Sequence, residues 1–300
     1  LIKPVLFLYR QKQKWIYHTA KDSFVKVVAE INRFEPIVSL NKSTFTIKGC
    51  SVKFSRTQHT FIVERLSLFR KLLRYGTIQI VDENLIYTID GVNLNITTSE
   101  EIFIINEIFI DGCYNVIIRE SFNVVDIGMN VGFASLFFAS NPKVNKVIGF
   151  EPFKPTYADA RFNFSLNHQL ASKISTFNFG LSNEDKSVII PFSSSLKGKN
   201  SSNNEDSVGE RIELREAFLV FDDLINEHKG FPIFVKMDCE GAEFQIFESL
   251  IQKGIPKEVF GLIIEWHEQP PVAIVQTLLA NDFKIHQNGR ERIGLIVAFR

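Results

Sequence analysis

Two groups of side chains in this 300-residue chain have the types and spacing to do chemistry. The first surrounds Asp126-Ile127-Gly128-Met129-Asn130-Val131-Gly132, where glycines let the backbone turn tightly and approach a ligand with no Cβ in the way. A dinucleotide loop counted from Gly128 would need glycines where Asn130 and Phe133 stand, which weakens a pyrophosphate-binding reading. An acid ahead of the turn, Asp126, suits a cationic ligand group, such as those of S-adenosylmethionine, and would repel a phosphate. Glu151 follows Gly128 by 23 residues, where a carboxylate can accept two hydrogen bonds from a ribose diol. Phe153 is placed to face an adenine ring, although in a chain with 29 Phe a core role is equally open.

The second group is Asp238, Glu240 and Glu243, joined by Glu265 and His267. An imidazole titrates near pH ~6.5 and can take a proton from a hydroxyl, so His267 is the candidate general base. Asp238 and Glu240 read as a pair that positions the acceptor. A divalent-metal site is the less favoured alternative, because the acids lack a dedicated ligand spacing. Glu243 also reads as an acid in the first turn of a helix, and Lys236 as the partner of a carboxylate.

These residues converge only if each follows a strand of an open parallel sheet, where ligands bind beyond the carboxyl ends. The pattern from residue 122 onward predicts that arrangement. Strands are expected at Phe122–Ile127, Lys146–Glu151 and Ile174–Phe179, with helices from Val131 and over Pro155–Asn167. The rhythm then repeats: strand Pro232–Asp238, helix Glu240–Lys253, strand Glu258–Trp266, helix Val272–Ala280, strands Phe283–His286 and Ile293–Phe299. Between the halves, residues 193–207 are rich in Ser and Asn and read as a loop, an insertion or a lid. The first 95 residues read as an α+β cap or extension. Hairpins are expected around Lys48-Gly49 and Asp90-Gly91, with a helix between them carrying Phe61, Ile62, Leu66, Phe69, Leu72 and Leu73, capped by Gly76.

Lys+Arg and Asp+Glu number 34 each, so no excess of positive charge exists to hold a nucleic-acid backbone. Cys50, Cys113 and Cys239 are scattered, with no CxxC and no zinc spacing, which suits a reducing, cytoplasmic setting. No apolar stretch reaches the ~18 residues of a membrane span. The chain opens at Leu1, so a preceding segment stays an open question.

The ordered motifs resemble the FkbM family of S-adenosylmethionine-dependent methyltransferases. Val125-Asp126-Ile127-Gly128-Met129-Asn130-Val131-Gly132 is similar to the family's V-D-x-G-A-N-x-G, and Glu151-Pro152 to its E-P. Gly180-Leu181-Ser182 and Phe221-Asp222-Asp223-Leu224 follow in order, then Val235-Lys236-Met237-Asp238-Cys239-Glu240-Gly241-Ala242-Glu243, which looks like K-x-D-x-E-G-x-E. Asn163, Asn167 and the lead-in Gly112-Cys113-Tyr114 belong to the same likeness; Met129 departs from the usual Ala. The resemblance implies a Rossmann-like class I methyltransferase domain over 96–300 behind an N-terminal extension over 1–95. S-adenosylmethionine would be held by Asp126, Gly128, Asn130, Gly132, Glu151, Phe153, Ser182 and Asp238, and no metal is favoured. His267, Asp238 and Glu240 would serve catalysis on a sugar hydroxyl of a glycan or glycosylated metabolite. The alternatives are a non-sugar acceptor and a noncatalytic interaction module.

Overall fold

The computed structural model describes residues 22–33, 35–191, 209–228 and 230–300; the loop expected over 193–207 lies outside them. The chain forms two compact units, Leu1–Asp111 and Gly112–Arg300. In the first, Val38–Leu40 (β1), Thr44–Ile47 (β2) and Phe54–Ser55 (β3) make one antiparallel sheet. Thr77–Val81 (β4), Asn84–Ile89 (β5) and Val92–Ile96 (β6) make another. Asp90 and Gly91 turn β5 into β6 with φ of 49° and 79°, the left-handed pair that matches strand twist in a two-residue hairpin. The hairpin expected at Lys48-Gly49 is looser. The Ile47 carbonyl accepts from Cys50 N–H at 2.9 Å, and only Thr44 and Phe45 pair with Ser55 and Phe54. The expected helix is Leu66–Leu72, entered through a 3-10 segment at Thr60–Arg65. Gly76 does not cap it in a left-handed turn. It allows close approach instead, since a Cβ there would lie 2.3 Å from the Thr88 carbonyl oxygen.

The second unit contains Phe122–Ile127 (β7), Val144–Phe150 (β8), Ile174–Phe177 (β9), Gly180–Ser182 (β10), Lys186–Pro191 (β11) and Gly209–Glu216 (β12). Ile233–Asp238 (β13), Val259–His267 (β14), Lys284–Arg290 (β15) and Ile293–Phe299 (β16) complete it. The main sheet runs β9-β8-β7-β13-β14-β16-β15, parallel from β9 to β14, with β16 antiparallel to β14 and to β15. The chain winds outward from β7 to β9 and restarts at β13 on the other side, which places the topological switch between β7 and β13. This is the doubly wound sheet that the strand and helix pattern predicts.

Every residue of β7 is buried, because both faces of the sheet are covered. Val125, Ile127, Val235 and Met237 face the core built with Phe221, Ile246, Phe247, Ile274 and Leu278. The alternate residues Phe122 and Phe234 pack edge to face, and Phe234 meets Phe138 on the opposite side. Two helices begin later than the sequence pattern suggests, at Phe133 and Glu243. In each case left-handed residues precede them: Asn130 and Gly132, then Glu240 and Gly241. Among the described residues, no helix is long and apolar enough to cross a membrane.

Candidate active site

Beyond β7 the chain takes φ of 76° at Gly128, 52° at Asn130 and 84° at Gly132. A Cβ on Gly128 would lie 1.8 Å from the Asp238 carbonyl oxygen, and one on Gly132 would lie 2.7 Å from the Phe164 ring. Both glycines are therefore demanded by packing as well as by dihedral. Gly128→Ala is expected to destabilise the fold by more than the ~1–2 kcal/mol of left-handed strain, because the end of β13 must also move. Urea titration beside the wild type checks this, and an unchanged midpoint would refute it. The Gly128 and Met129 amides donate to the Phe150 carbonyl, Gly132 N–H to the Met129 carbonyl, and Asn130 N–H to Glu151 Oε2. Those amides are not free to cradle a phosphate. Met129 is buried, with its sulfur in the space that the missing Cβ of Gly149 leaves. Asn163 Nδ2 donates to the Val131 carbonyl at 2.9 Å, and Asn167 Nδ2 to the Asn163 carbonyl, so these two amides brace the loop.

Glu151 follows β8 and is only 5% exposed. Its Oε2 accepts from Asn130 N–H and its Oε1 from Phe153 N–H, each at 3.0 Å. Burial pushes its carboxyl up to about 7, against the lowering effect of those amides on Phe153 and Asn130. Beside it, Asn130 Oδ1 is buried without a hydrogen-bond partner. A ligand carrying hydroxyl or amine donors would satisfy that oxygen and the remaining lone pairs of Glu151, so these residues fit the nucleoside of S-adenosylmethionine. Phe153 is half-buried next to them.

Lys236 joins this loop to the next. Its Nζ donates to the Gly128 carbonyl at 2.7 Å and lies 3.2 Å from Asp126 Oδ1 and 3.8 Å from Asp238 Oδ2. Burial alone would lower its pKa, but the carboxylates of Asp126 and Asp238 raise it above the ordinary lysine value. Asp126 is fully buried, and its Oδ2 accepts from Ser135 Oγ at 2.6 Å. Its carboxylate lies beneath the turn, between the Ser135 hydroxyl and the Lys236 ammonium. Ser182 is likewise fully buried, its hydroxyl donating to Gln245 Oε1 at 2.8 Å with Asn183 Oδ1 at 3.1 Å.

After β13, Asp238 leads into Glu240 and Gly241, at φ of 52° and 107°. Glu243, wholly buried, organises the turn. Its Oε1 accepts from Cys239 N–H and its Oε2 from Gly241 N–H, both at 2.9 Å, and Oε1 lies 3.1 Å from His267 Nδ1. The pairing of β13 with β14 sets Asp238 beside Glu265. His267 Nε2 then lies 3.8 Å from Glu240 Oε2 and 3.7 Å from Glu265 Oε1. Burial opposes the charged ring, yet Glu243, Glu240 and Asp238 raise His267 to about 9. Burial and the Glu243 carboxylate push the Cys239 thiol well up, so it stays protonated.

The structure thus brings Asp238, Glu240 and His267 together beyond β13 and β14, and Asn130, Glu151 and Phe153 together beyond β7 and β8. Sequence reasoning gave no role to Tyr114. Its hydroxyl donates to Asp238 Oδ2 at 3.4 Å, and its ring lies 5.8 Å from Lys236 Nζ. A separation of 124 residues leaves no local spacing that would reveal the contact.

Fold and site together define a class I methyltransferase domain with its crevice at the β7/β13 switch point. The chain belongs to the FkbM methyltransferase family, whose domain, described as "Methyltransferase FkbM domain", matches residues 126–285. It is 29% identical over 193 residues to Methyltransferase 1 of Beauveria bassiana (strain ARSEF 2860), covering 58% of this chain and 74% of that protein. It is also 29% identical over 103 residues to the AMB antimetabolite synthetase AmbE of Pseudomonas aeruginosa, 33% of this chain but 4% of that protein. Among solved structures it is similar to the methyltransferase FkbM from Methylobacillus flagellatus KT, with a TM-score of 0.41 and 15% identity, covering 80% of this chain and 60% of that one.

Proposed function

We propose that this chain transfers a methyl group from S-adenosylmethionine to the oxygen of a sugar hydroxyl, on a glycan or glycosylated metabolite. The observation that carries the cofactor half is the Glu151 carboxylate, fixed by two backbone amides beside the unpartnered Asn130 oxygen. Bound S-adenosylmethionine would supply a methyl group activated by a positively charged sulfur. As the new O–C bond forms, the C–S bond breaks and the hydroxyl loses its proton, so the chain must align the acceptor and receive that proton. Asp238 and Glu240 offer carboxylate oxygens to sugar hydroxyls, which supports an oxygen acceptor. In its neutral form His267 takes the hydroxyl proton at Nε2; because the surrounding carboxylates hold the ring charged up to about pH 9, turnover should rise as pH climbs toward 9. Lys236, joined to both Gly128 and Asp238, keeps the cofactor loop and the acceptor loop in register.

Isothermal titration with S-adenosylmethionine tests the reading. Saturable binding is expected in the wild type. Glu151→Gln should weaken it by roughly 10- to 100-fold, the scale of hydrogen bonds to a charged carboxylate. Affinity should also fall as pH drops through about 7, where the buried carboxyl takes a proton and accepts less well, whereas the Gln variant should show no such step. The unliganded fold follows the opposite sign. A raised folded pKa adds stability below the unfolded value, and that contribution is lost as pH rises through about 7. Absence of any binding would favour the noncatalytic module. With binding established, turnover of sugar hydroxyls against amines and non-sugar hydroxyls decides the acceptor.

A further inference from the structure

His267 is a histidine whose two ring nitrogens meet different surroundings. On one side, the wholly buried Glu243 carboxylate lies 3.1 Å from Nδ1. A carboxylate in that position orients the ring and keeps the Nδ1 proton, so the Nε2 proton is the one an incoming cation displaces, the arrangement that backs metal-bound histidines. On the other side, Nε2 of this 8% exposed residue lies 3.8 and 3.7 Å from the Glu240 and Glu265 oxygens, within ion-pair reach but beyond hydrogen-bond length. Asp238, Glu240 and His267 each present one ligand atom, all within 4.8 Å of one another. Ligands bound at ~2.1 Å to one ion stand no more than ~4.2 Å apart, so closing the set takes a small rotamer movement.

We propose that Asp238, Glu240 and His267 Nε2 bind a divalent transition ion of the Mn2+ type, with Glu243 as the carboxylate behind the histidine. The mixed donor set decides the class. Two carboxylates and one imidazole suit Mn2+ better than Mg2+, which prefers oxygen ligands and retains its water. Lys236 brings positive charge to 3.8 Å from Asp238 Oδ2, but Asp126 balances it at 3.2 Å. Tyr114 donates to the same Asp238 Oδ2 and so fixes that side chain. Three protein ligands leave open positions on an octahedral ion, and a vicinal diol of the acceptor would fill them. That last role rests on the methyltransferase reading, and with Nε2 on the ion Glu265 would take the hydroxyl proton in place of His267; the binding of the ion rests on neither.

The test uses the whole chain with MnCl2 alone, without methyl donor or acceptor. Electron paramagnetic resonance should show saturable binding of one ion, and electron spin echo modulation should show an imidazole nitrogen bound to it. His267→Ala should remove the nitrogen signal. Glu240→Gln, on a partly exposed and nearly isosteric side chain, should weaken binding by tenfold or more while circular dichroism stays unchanged. No saturable binding, or binding that neither variant affects, overturns the proposal. A parallel titration with S-adenosylmethionine in EDTA reports on the methyltransferase reading by itself, so failure of one is distinguishable from failure of the other.

Discussion

Lys236→Ala is expected to cost about 3–5 kcal/mol of folding stability, the scale for breaking a buried ion pair by removing one partner. For a domain of ordinary stability, roughly 5–15 kcal/mol, that is a large share. Three groups lose their partner at once. The Gly128 carbonyl loses its donor at 2.7 Å, and the fully buried Asp126 keeps only the Ser135 hydroxyl. Asp238 loses its cation and keeps the Tyr114 hydroxyl at 3.4 Å. Urea unfolding measures the loss. A second variant separates buried charge from lost packing: Lys236→Met combined with Asp126→Asn should be more stable than Lys236→Met alone, because no uncompensated carboxylate remains. Equal stability of the single and double variants would show that the pair is not what holds the two loops together.

His267→Ala is expected to lower kcat by about 10²–10⁴-fold, the range for removing a group that manages a proton in the transition state. S-adenosylmethionine affinity should stay within a few-fold of wild type, because the residues assigned to the cofactor, Glu151 and Asn130, do not touch the imidazole. The split between kcat and cofactor Kd is the diagnostic. A merely structural histidine would lower both together through a loosened turn, since Glu243 would lose the ring while keeping the Cys239 and Gly241 amides. Wild-type kcat in the variant would remove His267 from the reaction.

Much of the main sheet is legible from pattern. Phe122–Ile127, Val272–Ala280 and Ile293–Phe299 fall where apolar periodicity and flanking polar residues place them. A strand buried on both faces leaves a nearly continuous apolar run, and such runs survive in the sequence because every residue in them answers to the core. Across Lys48-Gly49 the strands pair antiparallel as the pattern predicts, but through a longer connection than two residues, for the opposite reason. A Gly at the turn permits several connections, and the early closure of Ile47 onto Cys50 selected the longer one.

The site divides in the same way. Local sequence determines the left-handed turns at Gly128, Gly132 and Gly241, because backbone dihedrals are decided by the residues that adopt them. It also determines which carboxylates and which histidine stand at strand ends. Only the tertiary structure decides what each carboxylate does. Asp126 and Glu151 both stand at a strand end, yet one is neutralised by Lys236 from the neighbouring strand and the other is held by amides beside a buried, unpartnered polar oxygen. Glu243 reads locally as a helix acid and in space as the carboxylate behind His267. Charge and hydrogen-bond partners are set by through-space neighbours at about 3 Å, and strand order, not spacing along the chain, chooses those neighbours.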